Sequence, residues 1–377
     1  MGLRIKPGHG PGAGHPSGIG ALASPPGILL VADSLTENWT SMDLYARDVR
    51  RSLERYYPQS DVAVLQPDGP VPRGKFRRRI RILLDRYVVL PRSVRDSRRS
   101  VVHILDQTYA HLTRAARPAR VVITCHDCIP LEKPRLSIGW FLFRLVAVHQ
   151  LRRADRVIAI SQATKNELVR RLGVDSERVR VAPYGLDPCF LEARWQGPRP
   201  TLRILHVGTN ADYKRMPLVV KTAVRLASRR QQVELWKVGE SLGADVQKAL
   251  DGVGGLLRNF GRVPHEQLPA ILADASVLLF PSATEGFGRP VAEALAVGLP
   301  VVASDVESLR ETTGGNAVHV GGADPEAFAR AIESLIDTPE RADLLSHRGR
   351  TWARKYRWDT HAATLRDVYA ELATEDR

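Results

Sequence analysis

Two glutamates, Glu285 and Glu293, bracket a glycine-rich loop in the run Glu285-Gly286-Phe287-Gly288-Arg289-Pro290-Val291-Ala292-Glu293. A short apolar strand, Val277–Phe280, leads into this loop, and the pattern predicts a helix over Pro290–Val297 leading out of it. A strand, a turn with two glycines and a helix start make an anion site. Free backbone N–H groups and the positive end of the helix dipole converge there. Gly286 and Gly288 permit positive φ and close approach of a ligand. Pro290 suits the first helical turn, where its missing N–H is unpaired in any case. Glu293 in that turn would repel phosphate, so it suits neutral hydroxyls such as a ribose diol. The other reading is a glutamate that only stabilises the helix dipole. Glu285 stands before the loop, where it can hold further hydroxyls. A ligand with both phosphate and hydroxyl groups fits this arrangement, and a nucleotide sugar is one.

A second anion element is His206-Val207-Gly208-Thr209-Asn210-Ala211-Asp212-Tyr213-Lys214-Arg215. A strand ends in glycine and a polar turn, and two cations follow before the next helix. A cation here suits a diphosphate leaving group, whose negative charge grows as its bond breaks. The plainer reading is a solvated basic turn.

The elements that must position these residues alternate along the chain. Ile28–Val31, Val62–Leu65, Val101–Leu105, Val121–Thr124, Val157–Ile160 and Val179–Ala182 read as strands, with helical spacing over Met42–Tyr56 and Ala163–Leu172. A break rich in proline and glycine follows, and a second series begins: Ile204–Val207, Val233–Val238, Leu256–Phe260, Val277–Phe280, Val301–Ala303 and Val318–Val320. Its helices are expected over Leu218–Arg229, Glu266–Ala273, Pro290–Val297 and Pro325–Leu335. Strands alternating with helices imply α/β architecture, here two doubly wound, Rossmann-like parallel sheets. The expected domains are 25–187 and 201–350, joined by a linker at 188–200, with the ligand in the cleft between them. Residues 1–24, rich in Gly, Pro and His, read as a disordered leader without the apolar core of a signal peptide. The last stretch, 351–377, belongs to a helical segment, His347–Ala373, expected to cross back to the first domain.

Composition narrows the partners. The chain has 377 residues, 44% of them hydrophobic and 25% charged, enough for two domains with real cores. A formal net charge of +14 favours anionic partners. Three cysteines, Cys125, Cys128 and Cys189, are too few for a disulfide scaffold and point to a reducing compartment. Cys125-His126-Asp127-Cys128 has CxxC spacing, but no second Cys/His pair completes a structural zinc site. Arg73 to Arg99 is densely basic, with Phe76, Ile80, Leu83, Leu84, Tyr87 and Leu90 at helical spacing. That pattern reads as a membrane-surface helix or as a core-facing helix with a solvated basic face. A nucleic-acid-binding protein is suggested by net charge alone. It lacks aromatic platforms or a recognition-helix motif, and the basic residues are spread over both domains.

With these strings in order, the chain resembles the GT-B glycosyltransferases of family 4, which are retaining enzymes that use nucleotide sugars. The paired-glutamate run and the following Gly298-Leu299-Pro300-Val301-Val302-Ala303-Ser304 are the most specific pieces. His126-Asp127, Ala154–Ser161, Val181–Asp187 and Gly208–Lys214 fit in the family's order, and the likeness covers Ile28 to Leu372. The resemblance implies that Glu285 contacts the donor sugar and that Glu293 holds the ribose. Lys214 would bind the diphosphate, with Arg215 and Gly208 beside it. Gly286 and the amides of Phe287, Gly288 and Arg289 would line the sugar and phosphate site. Val263 would meet the nucleobase, and His126 would sit near the reacting sugar.

Two departures stand out. Thr209 occupies a position where many members carry arginine, which leaves diphosphate binding to Lys214 and Arg215. The loop Asp33–Ser41 lacks the paired glycines common there, which bears on the acceptor. The family implies retention of anomeric configuration, no metal and no cofactor beyond the donor, and no DxD-like ligand pair occurs in the chain. The expected activity is transfer of a hexose of mannose or glucose type to a glycan or lipid-linked acceptor in cell-surface polysaccharide or glycolipid synthesis. The expected location is the cytoplasm, at the inner face of the cell membrane through Arg73–Arg99. The competing reading within this architecture is an epimerase or phosphorylase.

Overall fold

The computed structural model describes residues 27–375 apart from residues 38, 70–71, 130–137, 244–245, 247–249 and 251–256. The leader at 1–24 lies outside the described residues. Two units make up the chain. One runs to Pro183 and takes in Trp358 onward, and the other is Tyr184–Arg357.

The first unit holds β1 (Ile28–Val31), β2 (Val62–Leu65), β3 (Val101–Ile104), β4 (Arg120–Cys125), β5 (Arg156–Ala159) and β6 (Val179–Val181). They form one parallel sheet in the order β2-β1-β3-β4-β5-β6. Its strands are nearly continuous apolar runs, as a parallel sheet covered on both faces requires. The order reverses between β1 and β3. Helix Thr40–Tyr56 turns Tyr45, Ala46, Val49 and Leu53 inward along one face. Helix Gln162–Leu172 is stopped at both ends: Ser161 accepts from the Thr164 amide, and Gly173 takes the left-handed conformation.

The second unit holds β7 (Leu202–Gly208), β8 (Val233–Gly239), β9 (Leu257–Gly261), β10 (Val277–Phe280), β11 (Val301–Ser304) and β12 (Val318–Val320). This sheet is also parallel, in the order β12-β11-β10-β7-β8-β9, and it reverses between β7 and β10. In such sheets a ligand sits beyond the carboxyl ends of the strands at the reversal.

The domain boundaries differ from the expected ones. Residues 188–200 belong to the second unit rather than forming a free linker. Pro188–Glu192 makes a short helix with Phe190 buried, and Trp195 donates its backbone N–H to Val297 and its indole N–H to Ala275. Proline and glycine there mark irregular backbone, and the buried aromatics still anchor it. The expected helix over His347–Ala373 is two helices, Pro339–Ala353 and Trp358–Thr374. The break holds Tyr356, whose buried hydroxyl donates to the Thr312 carbonyl at 2.9 Å.

The basic segment is continuous helix, Lys75–Leu84 and Leu90–Asp96 joined by a π-helical turn at Asp85–Val89. Its first part is not the core-facing helix weighed from sequence. Arg78 and Arg81 bind inward, to the Thr36 and Glu37 carbonyls and to Asp85, while the apolar stripe faces out. Phe76 is 75% exposed, Leu83 55% and Tyr87 53%. Among the described residues no helix is long and apolar enough to cross a membrane.

The last helix, Trp358–Thr374, docks on the first unit's sheet through buried polar groups. His103 on β3 bonds the Tyr369 hydroxyl at 2.6 Å and the Thr124 hydroxyl at 2.8 Å. His361 donates to the Pro183 carbonyl at 2.9 Å and meets the Tyr45 hydroxyl at 3.3 Å. Burial pushes His103 down to about 3 and His361 down to about 4. Both imidazoles are therefore neutral in the folded chain, whereas an unfolded one takes a proton below about pH 6.5. The stability they contribute is present above pH 6.5 and is lost as pH falls towards their folded values. We expect the ring resonances of both histidines to show no titration between pH 7 and pH 5 by NMR. A midpoint near 6.5 for either contradicts this seating.

Candidate functional site

The reversal in the second unit's sheet brings two loops together, one after β7 and one after β10. The Ala283 amide donates to the Tyr213 carbonyl at 2.7 Å and ties them. Helix Arg289–Val297 begins one residue earlier than expected, with Pro290 second. Of the two loop glycines, Gly288 has positive φ (82°) and Gly286 does not. A Cβ at Gly288 would be strained at that φ and would lie 2.5 Å from a terminal methyl of Leu309 on helix Glu307–Thr313, so glycine suits the helix start there. That second helix fixes the loop from behind. Ser308 donates to the Glu285 carbonyl at 2.7 Å and Thr312 to the Phe287 carbonyl at 2.5 Å. Phe287 buries its ring edge-on to Tyr184 and Tyr356, which leaves its backbone as the functional part.

Lys214 and Glu285, predicted separately from two strings, form one ion pair, Nζ to Oε1 at 2.5 Å. Both side chains are 11% exposed. The ammonium also lies 4.7 Å from the Phe280 ring centre. Arg215, in the left-handed conformation, instead donates to the Gly322 carbonyl at 3.0 Å. Thr209 is exposed and Val263 is half-buried on the loop after β9.

Glu293 is buried and lies in a polar cluster of its own. Its Oε1 is 3.0 Å from Arg289 Nε and 3.7 Å from His265 Nε2, and His265 Nε2 is 3.3 Å from Asp187. His265 and Asp187 were not foreseen as partners of Glu293. His265 opens the 3-10 turn His265–Gln267 and Asp187 precedes the short helix Pro188–Glu192, places where nothing in the local sequence points to Glu293.

Under the Gly208 turn are two more residues that sequence reasoning passed over, His206 and Lys237. His206 on β7 is fully buried, with Nδ1 donating to the Leu279 carbonyl at 3.1 Å. Burial and the nearby Lys237 hold it neutral, down to about 3. Lys237 on β8 donates to the Gly208 carbonyl at 2.6 Å and to the Val238 carbonyl at 3.0 Å. Its strand, Val233–Gly239, also carries Glu234, so the charge of Lys237 alone does not single it out in the sequence.

In the first unit His126 is buried at the end of β4. Its Nε2 donates to the Leu105 carbonyl at 2.7 Å, its amide donates to Gln107 at 3.0 Å, and its ring stands edge-on to Tyr45. Burial lowers its pKa, so this imidazole is neutral. Near it, at the β1/β3 reversal, is a carboxylate cluster that the sequence did not announce. Asp33 and Asp106 are both buried, and Asp33 is pushed well up by burial first and then by Asp106 and Glu37. Glu37 is held by Arg86 at 3.2 Å and by the Tyr109 hydroxyl. Cys125 and Cys128 are buried free thiols, and no metal-capable group of three side chains occurs among the described residues.

Comparison with known proteins agrees with this architecture. Residues 28–189 match the model described as Glycosyltransferase Family 4, and residues 201–338 match Glycosyl transferases group 1. The D-inositol 3-phosphate glycosyltransferase of Streptomyces griseus is 29% identical over 59% of this chain. The match covers 55% of that relative, so the chain spans about half the length of the curated relatives it matches. Sucrose-phosphate synthase from Thermosynechococcus elongatus superposes with a TM-score of 0.72 at 21% identity, covering 92% of this chain and 99% of that one. Anabaena HepE in complex with UDP-glucose superposes with a TM-score of 0.67 at 19% identity, over 93% and 99%. Two parallel-sheet units of Rossmann type, each matched by a glycosyltransferase family model, place this chain in the GT-B-fold glycosyltransferases.

Proposed function

We propose that this chain transfers a hexose of mannose or glucose type from a nucleoside diphosphate sugar to a glycan or lipid-linked acceptor, with retention at the anomeric carbon. The observation that carries this is the Lys214–Glu285 pair at the β7/β10 reversal, beside the helix that starts at Arg289. A diphosphate takes over Lys214, and sugar hydroxyls donate to the released Glu285 carboxylate. As the glycosidic bond breaks, charge grows on the diphosphate, and Lys214 and the positive end of helix Arg289–Val297 stabilise it. The leaving phosphate oxygen takes the proton of the attacking hydroxyl from the same face, which retains configuration. Glu293 serves the ribose and Val263 the base.

The acceptor belongs on the first unit, near His126 and the Asp33/Asp106 pair. Buried carboxyl groups there suit hydroxyls and disfavour a phosphate. The outward apolar stripe of helix Lys75–Leu84, flanked by Lys75, Arg77 and Arg79, supports a place at an anionic membrane surface, and with it a lipid-linked acceptor at the cytoplasmic face.

Three measurements test the reading. In a thermal-shift panel of nucleotide sugars, the true donor at a hundred times its Kd stabilises the fold by about 2.7 kcal/mol, and a flat response to every nucleotide sugar contradicts a donor site. Glu285→Gln and Lys214→Ala are each expected to lower turnover about 100-fold while the circular-dichroism spectrum at room temperature stays that of the folded wild type. Near-normal turnover in both removes the pair from the reaction. Vesicles with anionic lipid should co-sediment the wild type at low salt and lose it on Leu83→Asp. Equal sedimentation of both proteins argues against insertion of this stripe.

A further inference from the structure

Lys237 is a cation in a place that a merely structural lysine seldom occupies. It lies in β8, between Trp236 and Val238, and is 0% exposed. It has no ion pair among the described residues, and its two acceptors are backbone carbonyls, those of Gly208 and Val238. An ammonium has three donors, so one N–H is left without an acceptor among the described residues. Buried charge is normally met by opposite charge, because desolvation is otherwise uncompensated.

The surroundings explain what the lysine holds. Gly208 and Gly239 sit side by side in the β7/β8 register. Gly239 has φ of 113°, and a Cβ on it would lie 2.3 Å from the Gly208 carbonyl oxygen. The Gly208 carbonyl is thus pressed against β8 and receives the Lys237 ammonium at 2.6 Å. Further along, the Asn210 amide donates to Glu240 at 2.9 Å and its side chain donates to the Ser241 carbonyl at 2.7 Å. The turn that carries Lys214 is therefore stitched to the end of β8, with Lys237 beneath it.

We propose that Lys237 is a positioning residue for the donor, which fixes the Gly208 turn from below and supplies a buried positive charge that the donor's diphosphate neutralises. This rests on the donor site proposed above. The charged and titratable groups facing Lys237 are Lys214, Glu240 and the neutral His206, and Glu285 is already paired with Lys214. Burial is the main influence and lowers Lys237 to about 8, with Glu240 opposing it and Lys214 adding to it. A bound diphosphate favours the charged form, so binding above pH 8 must take up a proton. The sign follows: affinity is full below pH 8 and falls as pH rises through it. The second ionisation of a terminal phosphate, at about pH 6, is complete by then.

The test is calorimetric titration of the full chain with UDP, GDP and ADP from pH 7.5 to 9.5, in buffers of different ionisation enthalpy. Wild type is expected to lose about tenfold in affinity across that range and to take up protons at pH 8.5. Lys237→Met is expected to bind more weakly at pH 7.5, with a flatter profile and no uptake. Lys237→Arg is expected to keep the affinity of pH 7.5 up to pH 9.5. Equal pH slopes in wild type and Lys237→Met overturn the proposal, because a purely structural lysine shifts affinity by one factor at every pH. Should Lys237→Met fail to fold, absence of proton uptake by wild type at pH 8.5 overturns it alone. Wild type that binds none of the three nucleotides defeats the donor site itself. Binding that is lost in Lys214→Ala but shows no uptake in wild type defeats only the role of Lys237.

Discussion

Opposite charges taken out of water must find each other, and the pairing of Lys214 with Glu285 is the constraint around which the second unit is arranged. Each side chain is mostly shielded, and stripping either one leaves the other uncompensated, a loss of about 3–5 kcal/mol in buried pairs generally. The pair can form only if the loops after β7 and β10 meet, which the strand order secures by reversing between those strands. Ser308 and Thr312 then hold the second loop from behind, while Lys237 and Glu240 hold the first. A ligand that separates the two charges must offer each a replacement, an anion for the lysine and hydrogen-bond donors for the glutamate. In the proposed reaction the two halves of a sugar diphosphate meet that requirement.

Much of the fold was legible because strands covered on both faces are written as uninterrupted apolar runs. Ile28–Val31, Val62–Leu65, Val277–Phe280 and Val318–Val320 have the same bounds in the structure as in the sequence pattern. What failed depends on contacts made at a distance. The break at residues 354–357 continues a helical charge pattern, and it is settled by Tyr356 reaching the Thr312 carbonyl. Residues 188–200 carry the composition of a linker, and Trp195 and Phe190 hold them in the second unit.

The site was legible in the same uneven way. Glycine spacing, a proline after Gly288 and a basic turn after Gly208 are local signals, and each marks its loop. Partners contributed by other strands left no local trace. Asp33 and Asp106 each stand two residues past a strand end, and nothing in either string says that β1 and β3 are neighbours. Lys237 was hidden by the same arrangement, since its role lies in the carbonyl of Gly208 on the next strand. His265 beside Glu293 is a third case, because 28 positions separate them along the chain.

The last helix has a consequence for the order in which the chain can mature. The first unit is built from two stretches, one ending at Pro183 and one beginning at Trp358, whereas the second is a single uninterrupted stretch. Chains emerge from the ribosome from their amino end, and domains commonly fold in that order. Here Tyr45 and His103 are made early, yet their partners His361 and Tyr369 follow only after the whole second unit. The unit made first is thus completed last. Until that helix emerges the unit keeps open the face on which it docks, the stretch of its life in which a chaperone would find the most to hold.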